Sequence, residues 1–281
     1  MAPVLYDMDA RASTTVHRRE DPDAWYAAVD SDVPLVTQWD DGAHRGPGPG
    51  KLATSSSSMP SVVYALLRDL EVEGGMRVLD VGTGTGETAG ALTHRLGRGR
   101  VTTVDVDGAV SAAARERLCR QGLDPEVVVG DGQAGHAATA PYDRVLATVG
   151  IRRVPPAWLR QTRPGGTILA PWGTAYGNAD AMIRLRVRGG TAIGPFTRPV
   201  WFYGLTDLSW ACVMFRDGGH RATVWQSGPR RLWDEVADAH RWWRGHGSPD
   251  VTRFGLTVDA HGQHAWLDDP AHEPWPLRGG G

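Results

Sequence analysis

The residues with the clearest chemistry form a glycine-rich turn, Asp-x-Gly-x-Gly-x-Gly, which follows a short apolar run at residues 80–86. Glycines there permit positive φ and let the backbone approach a ligand closely, and free amides at the start of the next helix favour polar ligand groups. The dinucleotide fingerprint needs a glycine at position 87, where this chain has Glu87, and a carboxylate there would repel a pyrophosphate. The pattern therefore predicts a nucleoside cofactor without phosphates, chiefly S-adenosylmethionine.

Two carboxylates further along stand where an adenosine needs hydrogen-bond acceptors. Asp105 ends the next predicted strand, about 20 residues after the glycines, and is expected to accept from both ribose hydroxyls. Asp131, after the third strand, is expected to accept from the exocyclic amine of adenine. The alternative is that each Asp only caps the following helix or turn, and for Asp107 we prefer it. The predicted cofactor-binding residues are Asp80, Gly82, Thr83, Gly84, Thr85, Gly86, Asp105, Val106, Gly130, Asp131, Gly132 and Thr148.

An alternation of helices and strands from Ser61 onward would position these turns. Such alternation predicts a mostly parallel, doubly wound sheet with helices on both faces, a Rossmann-like α/β fold. The expected helices are Val62 to Leu70, Glu87 to Leu96, Ala109 to Gln121 and Pro156 to Gln161. The expected strands are Arg77 to Val81, Val101 to Asp105, Glu126 to Val129, Arg144 to Val149 and Thr167 to Pro171, with Ala181 to Val187 and Thr197 to Tyr203 adding an antiparallel edge.

Composition divides the chain into three predicted parts: an N-terminal arm with a Ser-rich substrate loop (1–60), the core (61–207) and an extension (208–281). The arm is expected to hold at most one short helix, around Ala24 to Val29. Eight of the twelve tryptophans lie from Trp201 onward, and the extension reads as a small α+β unit. Its expected elements are a helix from Arg230 to Arg244 and a β-hairpin from Phe254 to Leu267.

The overall composition excludes several classes of protein. The 281 residues are 41% hydrophobic with a formal net charge of −2, which is typical of a globular chain without a field that attracts nucleic acid or anionic membranes. The two cysteines and the lack of a signal segment predict a cytoplasmic protein. The ten histidines sit in no recognised ligand set, so no metal is expected, and no oligomeric state is predicted.

Several further blocks, together with the glycine turn, resemble the protein-L-isoaspartate O-methyltransferase family in order and spacing. The resemblance spans about residues 35 to 207. The blocks are Gly130-Asp131-Gly132, Ala140-Pro141-Tyr142-Asp143, Val154 to Leu159, Arg163 to Gly173 and Gly204 to Asp207, and Ser58-Met59-Pro60 falls on the family's Ser-x-Pro motif. The resemblance implies a class I S-adenosylmethionine-dependent methyltransferase that acts on a peptide carboxylate.

The resemblance also implies roles for particular residues. Ser58, supported by Ser57 and Thr54, would hold the substrate carboxylate. Hydroxyl donors bind a carboxylate without suppressing its nucleophilicity as an ion pair with a buried arginine might. The alternative is that Ser58 only caps the helix that starts near Ser61. The residues predicted to bind substrate are Ser56, Val149, Arg152 and Arg153. For the two arginines, an exposed and solvated pair is an equal alternative.

Three departures from the family shape the functional hypotheses. The Ser-x-Pro motif is preceded by extra hydroxyl residues, Arg152 and Arg153 follow the fourth strand, and residues 208–281 are expected to lack a counterpart in the repair enzymes. The extension is similar to that of relatives found with ribosomally made, post-translationally modified peptides. We therefore expect methylation of an Asp side chain in a precursor peptide, of graspetide, lanthipeptide or lasso type, with the ester collapsing to aspartimide or isoaspartate.

Two alternatives to this hypothesis remain. One is a protein-L-isoaspartate O-methyltransferase that repairs damaged proteins. The other belongs to a different class: a non-catalytic cofactor-binding scaffold of a peptide-modifying complex. The complete set of predicted cofactor residues and Ser58 argue against lost catalysis.

Overall fold

The computed structural model describes residues 4–7, 12–44, 50–173, 179–201, 210–216, 221–227, 231–271 and 275–276. The chain divides into two compact units, each described by itself below. Unit one comprises Met1–Val149, Pro155–Ala170 and Leu185–Ala192, and unit two comprises Gly150–Val154, Pro171–Arg184 and Ile193–Gly281. These units do not follow the predicted divisions at residues 60 and 207.

The described residues contain six α-helices and sixteen strands, several of which end where the sequence predicts. The helices are α1 (Pro22–Val29), α2 (Pro60–Leu70), α3 (Glu87–Leu96), α4 (Gly108–Arg120), α5 (Pro156–Gln161) and α6 (Leu232–Gly245). The first eight strands are β1 (Val4–Asp7), β2 (Ala12–Thr15), β3 (Leu35–Trp39), β4 (Ala53–Ser57), β5 (Val78–Val81), β6 (Val101–Asp105), β7 (Glu126–Val129) and β8 (Tyr142–Ala147). The other eight are β9 (Thr162–Trp172), β10 (Ala179–Arg188), β11 (Thr191–Trp201), β12 (Trp210–Arg216), β13 (Arg221–Ser227), β14 (Phe254–Asp259), β15 (Gly262–Leu267) and β16 (Trp275–Pro276).

A parallel sheet forms the centre of unit one. Its five parallel strands lie in the order β9-β8-β5-β6-β7, so the strand order reverses between β5 and β8. In open α/β sheets, ligands bind beyond the carboxyl ends of the strands at such a reversal. The Rossmann-like fold with a mostly parallel sheet is therefore confirmed, and its expected ligand crevice lies after β5 and β8.

Apolar side chains from the central strands and from α2 form the core of this unit. Every residue of β5 is buried, as expected for a parallel strand that is covered on both faces. Leu66 and Leu70 of α2 are fully buried, and so are Leu146 of β8 and Ile168 of β9. These contacts fix the end of β5, and with it the start of the glycine turn.

The N-terminal residues form a sheet that the sequence did not predict. Four antiparallel strands lie in the order β2-β1-β3-β4, where at most one short helix was expected. The short helix is present as α1. The strands were not predicted, because β4 has the sequence Ala-Thr-Ser-Ser-Ser and shows no alternation of apolar residues. Backbone pairing with β3, rather than burial of an apolar face, defines this strand.

The remaining antiparallel strands lie mainly in unit two. Their order is β16-β15-β14-β11-β10, and β12 pairs with β13 in a separate hairpin. The predicted helix and β-hairpin of the extension are both present, as α6 and as β14 with β15. Asp259 accepts from the amides of His261 and Gly262, which fixes the hairpin turn. The part of the predicted edge strand beyond Trp201 lies outside the described residues.

None of the described helices is long and apolar enough to cross a membrane. No group of three or more His, Cys, Asp or Glu side chains that could hold a metal ion occurs within the described ranges.

The packing of α5 leads to a test of the fold. Trp158 is 1% exposed, and its Nε1 donates to the carbonyl of Gly132 over 2.8 Å. Replacing Trp158 with Phe removes this buried hydrogen bond and part of the buried ring, while the Gly132 carbonyl keeps its bond from the Gly135 amide, so we expect the free energy of unfolding to fall by about 1–3 kcal/mol. Urea unfolding followed by circular dichroism measures this. Trp25→Phe, at a half-buried position in the same unit, is the matched control and should change stability by less than about 1 kcal/mol. Equal losses of stability in the two variants would contradict the role given to the Trp158 hydrogen bond.

Candidate functional site

The turn after β5 has a backbone that only glycine adopts easily. Gly82, Gly84 and Gly86 have φ values of +100°, +51° and +88°. A Cβ on Gly82 would lie 2.8 Å from Val149 Cγ1 and 2.9 Å from Thr148 Oγ1, so this turn packs tightly against the residues that follow β8. The Thr148 hydroxyl donates to the Gly82 carbonyl over 2.9 Å. The structure thus brings these predicted residues together at the reversal of strand order.

A buried carboxylate lies directly beneath the turn. Asp80 is fully buried, and its Oδ2 accepts from the Thr103 hydroxyl over 2.8 Å, while Thr103 and Thr83 share a second hydrogen bond. Its Oδ1 has no hydrogen-bond partner within the described chain. Burial raises the pKa of Asp80 to about 7; the Thr103 bond opposes this, and the negative charge of Asp105 adds to it. A cationic ligand group nearby would favour the ionised form.

Asp105 joins the glycine turn to the start of α4. Its Oδ2 accepts from the Gly84 amide and its Oδ1 from the Asp107 amide, each over 3.0 Å. Each oxygen of a carboxylate can accept a second hydrogen bond, and this side chain is partly exposed. Val106 beside it is 78% exposed, which is high for an apolar residue. A polar acceptor next to an exposed apolar side chain fits a sugar that carries an aromatic base.

Asp107 is the N-cap of α4, as predicted. Its Oδ1 accepts from the amides of Ala109 and Val110. Its Oδ2 accepts from the side chain of Gln38, a residue that the sequence analysis missed because it belongs to no motif. The hydrogen bond from Gln38 is the largest of the effects that lower the pKa of Asp107.

The turn after β7 reaches the same edge of the sheet. The Gly130 amide donates to the Asp105 carbonyl over 2.9 Å, and a Cβ on Gly132 would lie 2.6 Å from Val81. Asp131 is exposed and caps this turn by accepting from the Gln133 amide. The capping alternative therefore describes Asp131 in this structure, and its contact with adenine stays a prediction.

The hydroxyl residues of β4 pass close to the glycine turn. A Cβ on Gly84 would lie 3.6 Å from the Ser56 carbonyl oxygen. The Ser57 hydroxyl donates to Glu87 Oε2 over 2.5 Å, at the first residue of α3. The Thr54 hydroxyl donates to Gln38 Oε1 and accepts from the Asp41 amide. The hydroxyl protons of Ser57 and Thr54 are therefore both already donated in hydrogen bonds.

Ser58 differs from its neighbours. The N-cap of α2 is Met59, which makes no side-chain cap, and the Ser61 amide bonds to Asp32 instead. The alternative that Ser58 only caps this helix therefore does not describe this structure. No hydrogen bond of the Ser58 hydroxyl is found within the described chain, and the residue is half-buried. A hydroxyl with a free proton thus follows directly after the residue that is tied to Glu87.

The two predicted arginines have different surroundings within unit two. Arg152 Nη1 lies 3.1 Å from Asp180 Oδ1, and the Asp180 side chain is fully buried. Burial raises the pKa of Asp180, and the charge of Arg152 opposes that shift. Arg153 is exposed. The alternative of a solvated pair therefore fits Arg153 but does not describe Arg152.

Comparisons with known proteins identify the family. The family model described as Protein-L-isoaspartate(D-aspartate) O-methyltransferase matches residues 40–209. The chain is similar to "Protein-L-isoaspartate O-methyltransferase 2" of Polaromonas sp., with 38% identity over 53% of this chain and 70% of that protein. It is also similar to the protein-L-isoaspartate O-methyltransferase of Anaeromyxobacter dehalogenans, with 39% identity over 54% of this chain and 72% of the relative.

Solved structures share the fold at lower identity. A protein-L-isoaspartate O-methyltransferase structure matches 87% of this chain and 89% of its own with a TM-score of 0.61 and 20% identity. A crystal structure from Plasmodium falciparum, in complex with S-adenosyl-L-homocysteine, matches 63% of this chain and 81% of its own with a TM-score of 0.50 and 14% identity.

The first of these alignments corrects one expectation about the extension. An alignment over 87% of a 281-residue chain must extend past residue 208. At the level of the fold, part of the extension therefore has a counterpart in a structure named as a protein-L-isoaspartate O-methyltransferase, contrary to the expectation that the extension has none. The family model covers more than half of the chain, two relatives exceed 30% identity over two thirds of their length, and the glycine turn and acidic residues fit the cofactor. The chain belongs to the protein-L-isoaspartate(D-aspartate) O-methyltransferase family and is an S-adenosylmethionine-dependent O-methyltransferase.

Proposed function

We propose that the enzyme methylates the α-carboxylate of isoaspartyl residues in proteins and peptides. The observation that carries this proposal is the placement of Ser58, on the Ser-x-Pro motif, one residue after the serine that bonds to Glu87 at the end of the glycine turn. No hydrogen bond of the Ser58 hydroxyl is found among the described residues. The names of the relatives, which are protein-L-isoaspartate O-methyltransferases, support the choice of carboxylate.

The residues after β5, β6 and β7 would hold the cofactor. Asp105 accepts from the ribose hydroxyls with the lone pairs that the amides of Gly84 and Asp107 leave free. Val106 offers an apolar surface to adenine, and Asp131 accepts from the adenine amine through its second oxygen. The negative charge of Asp80 beneath the turn favours the cationic end of the ligand.

The substrate carboxylate needs to be aligned rather than activated. S-adenosylmethionine, when bound, supplies an electrophilic methyl group on a sulfonium. A carboxylate is ionised at neutral pH, so one of its oxygens attacks the methyl carbon as the carbon–sulfur bond breaks, and no proton has to be removed. Ser58 donates a hydrogen bond to the other oxygen and orients the attack, while Ser57 and Thr54 hold β4 in place through Glu87 and Gln38. We place Ser56, Val149, Arg152 and Arg153 among the residues that contact the rest of the substrate.

A second candidate is methylation of an Asp side chain in a ribosomally made precursor peptide. The observation in its favour is that the matched family segment ends at residue 209, while α6 and the β14–β15 hairpin lie beyond it. The long alignment with a protein-L-isoaspartate O-methyltransferase structure weighs against it, so isoaspartate is the preferred substrate.

A direct comparison of substrates separates the two candidates. The purified protein is incubated with S-adenosylmethionine and one of two peptides that differ only in an isoaspartyl or an aspartyl residue, and the products are weighed by mass spectrometry. We expect one added methyl group on the isoaspartyl peptide and none on its aspartyl twin. A co-encoded precursor peptide that gains a methyl group while the isoaspartyl peptide remains unchanged would overturn the proposal.

Replacing Ser58 with Ala tests the proposed contact with the carboxylate. Loss of one hydrogen bond to an ionised group is worth about 1.5–3 kcal/mol, so kcat/KM for the isoaspartyl peptide should fall about 10- to 150-fold. Calorimetry should show an unchanged Kd for S-adenosylhomocysteine. Ser61→Ala, on the exposed first turn of α2, is the control and should retain both values. Equal losses of kcat/KM and cofactor affinity in Ser58→Ala would remove Ser58 from the substrate site.

Replacing Asp105 with Ala tests the cofactor site. The variant loses the proposed ribose bonds and the two acceptors of the Gly84 and Asp107 amides, so we expect the Kd for S-adenosylhomocysteine to rise at least about tenfold. Isothermal titration calorimetry measures this. Asp124→Ala, which removes an exposed carboxylate that is paired with Arg98, should bind like the wild type. An unaltered affinity in Asp105→Ala would place the ribose elsewhere.

A further inference from the structure

Gln38 is a buried polar side chain that uses both ends of its amide. Its Nε2 donates to Asp107 Oδ2 over 2.8 Å, and its Oε1 accepts from the Thr54 hydroxyl over 2.9 Å. The orientation of the amide follows from chemistry, because a carboxylate can only accept and the nitrogen must therefore face Asp107. The side chain is 8% exposed, so both bonds form largely away from water.

The backbone around Gln38 is irregular, although its side chain keeps the buried face of the strand. The β3–β4 ladder shifts register between Val36 and Gln38 and again between Gln38 and Trp39. Val36 and Gln38, two positions apart, are both buried, as alternation along a strand predicts. Irregularities of this kind occur frequently beside active sites.

The two partners of Gln38 belong to different parts of the proposed site. Thr54 begins the hydroxyl row of β4, which runs to Ser57 and precedes Ser58. Asp107 caps α4, and its amide donates to the carboxylate of Asp105. One side chain therefore links the strand that carries the substrate hydroxyls to the residue beside the proposed ribose acceptor, across 69 positions of sequence.

Packing alone does not make this link. A cavity of about 60 Å³ lies beside Gln38, and Ser55 of β4, Gly84 of the turn and Val110 of α4 are among the residues that line it. This cavity separates the side chains of β4 from those at the start of α4, so apolar contact between them is limited there. The hydrogen bonds of Gln38 are therefore the more direct connection between the two elements.

We propose that Gln38 is a positioning residue that couples the cofactor site to the hydroxyl row of β4. A ligand bound to Asp105 orders the Asp107 N-cap. Through its two hydrogen bonds, Gln38 then orders Thr54 and the serines that follow it. The coupling acts in both directions, so an ordered β4 also favours cofactor binding. It rests on the proposed function only in the contact of the cofactor with Asp105, which the affinity of Asp105→Ala tests separately.

Hydrogen exchange with mass spectrometry reads this coupling without a peptide substrate. The full chain is compared with and without S-adenosylhomocysteine, and exchange is followed in the segments 52–58, 82–87 and 105–110. In the wild type we expect the ligand to slow exchange in all three, by about fivefold or more at 52–58, which is the lower end of typical coupling between sites. In Gln38→Leu the ligand should still slow exchange at 82–87 but not at 52–58.

Three further variants separate coupling from general stability. Gln38→Glu keeps an acceptor for Thr54 but repels Asp107, so it should lose the coupling although its bond to β4 remains. Gln38→Asn is one methylene shorter, cannot span both partners, and serves if the leucine variant is poorly folded. Thr37→Val is the matched control, because the Thr37 hydroxyl bonds to Ser55 of β4 and not to α4. It should keep the wild-type response.

Two outcomes would overturn the proposal. One is a response at 52–58 in Gln38→Leu and Gln38→Glu that equals that of the wild type, which would mean that the ligand orders β4 by direct contact. The other is an equal loss in Thr37→Val, which would show that any weakening of the β3–β4 pair has the same effect.

Discussion

The two amide hydrogen bonds onto the Asp105 carboxylate are the interaction on which the site depends. They join three segments that are far apart in the sequence: the glycine turn through Gly84, the end of β6 through Asp105 itself, and the start of α4 through Asp107. A neutral acceptor would hold these donors more weakly, since hydrogen bonds to charged groups are roughly twice as strong. The carboxylate thus shapes the crevice in the absence of ligand and keeps lone pairs with which to bind one.

The hydroxyl groups of β4 illustrate how a polar strand is divided between structure and chemistry. A hydroxyl has one proton to donate, and those of Thr54 and Ser57 go to Gln38 and Glu87. Among the three hydroxyls of the proposed carboxylate site, this leaves that of Ser58, which we propose as the donor to an incoming carboxylate. Glu87 also shows that one residue can serve two purposes, since it replaces the third glycine of a dinucleotide fingerprint and anchors the neighbouring strand.

The sequence predicted the parts of the molecule in which local pattern and burial agree. The short buried strand β5, Val-Leu-Asp-Val, and the glycines after it identified both the parallel sheet and the cofactor turn. The N-terminal sheet could not be found in this way, because β4 is polar and is defined by pairing with a strand about 20 residues earlier. Gln38 was not predicted for a related reason: its hydrogen-bond partners lie 16 and 69 positions away in the sequence. The extension does not by itself indicate the substrate, since its fold is in part shared with a protein-L-isoaspartate O-methyltransferase structure.

The buried carboxyl group of Asp80 has a thermodynamic consequence. Its pKa is raised to about 7 in the folded chain, well above the ordinary value of 3.8, so between these pH values the folded state holds a proton that the unfolded state has released. Linkage then makes the ligand-free protein less stable as the pH rises from about 4 to about 7, with the full penalty remaining above that range. A ligand that carries a positive charge to this carboxylate offsets the penalty where it is greatest. A cofactor whose cationic end lies near Asp80, as we propose, therefore releases a proton on binding below about pH 7, and its stabilising effect on the folded enzyme is full only at neutral pH and above.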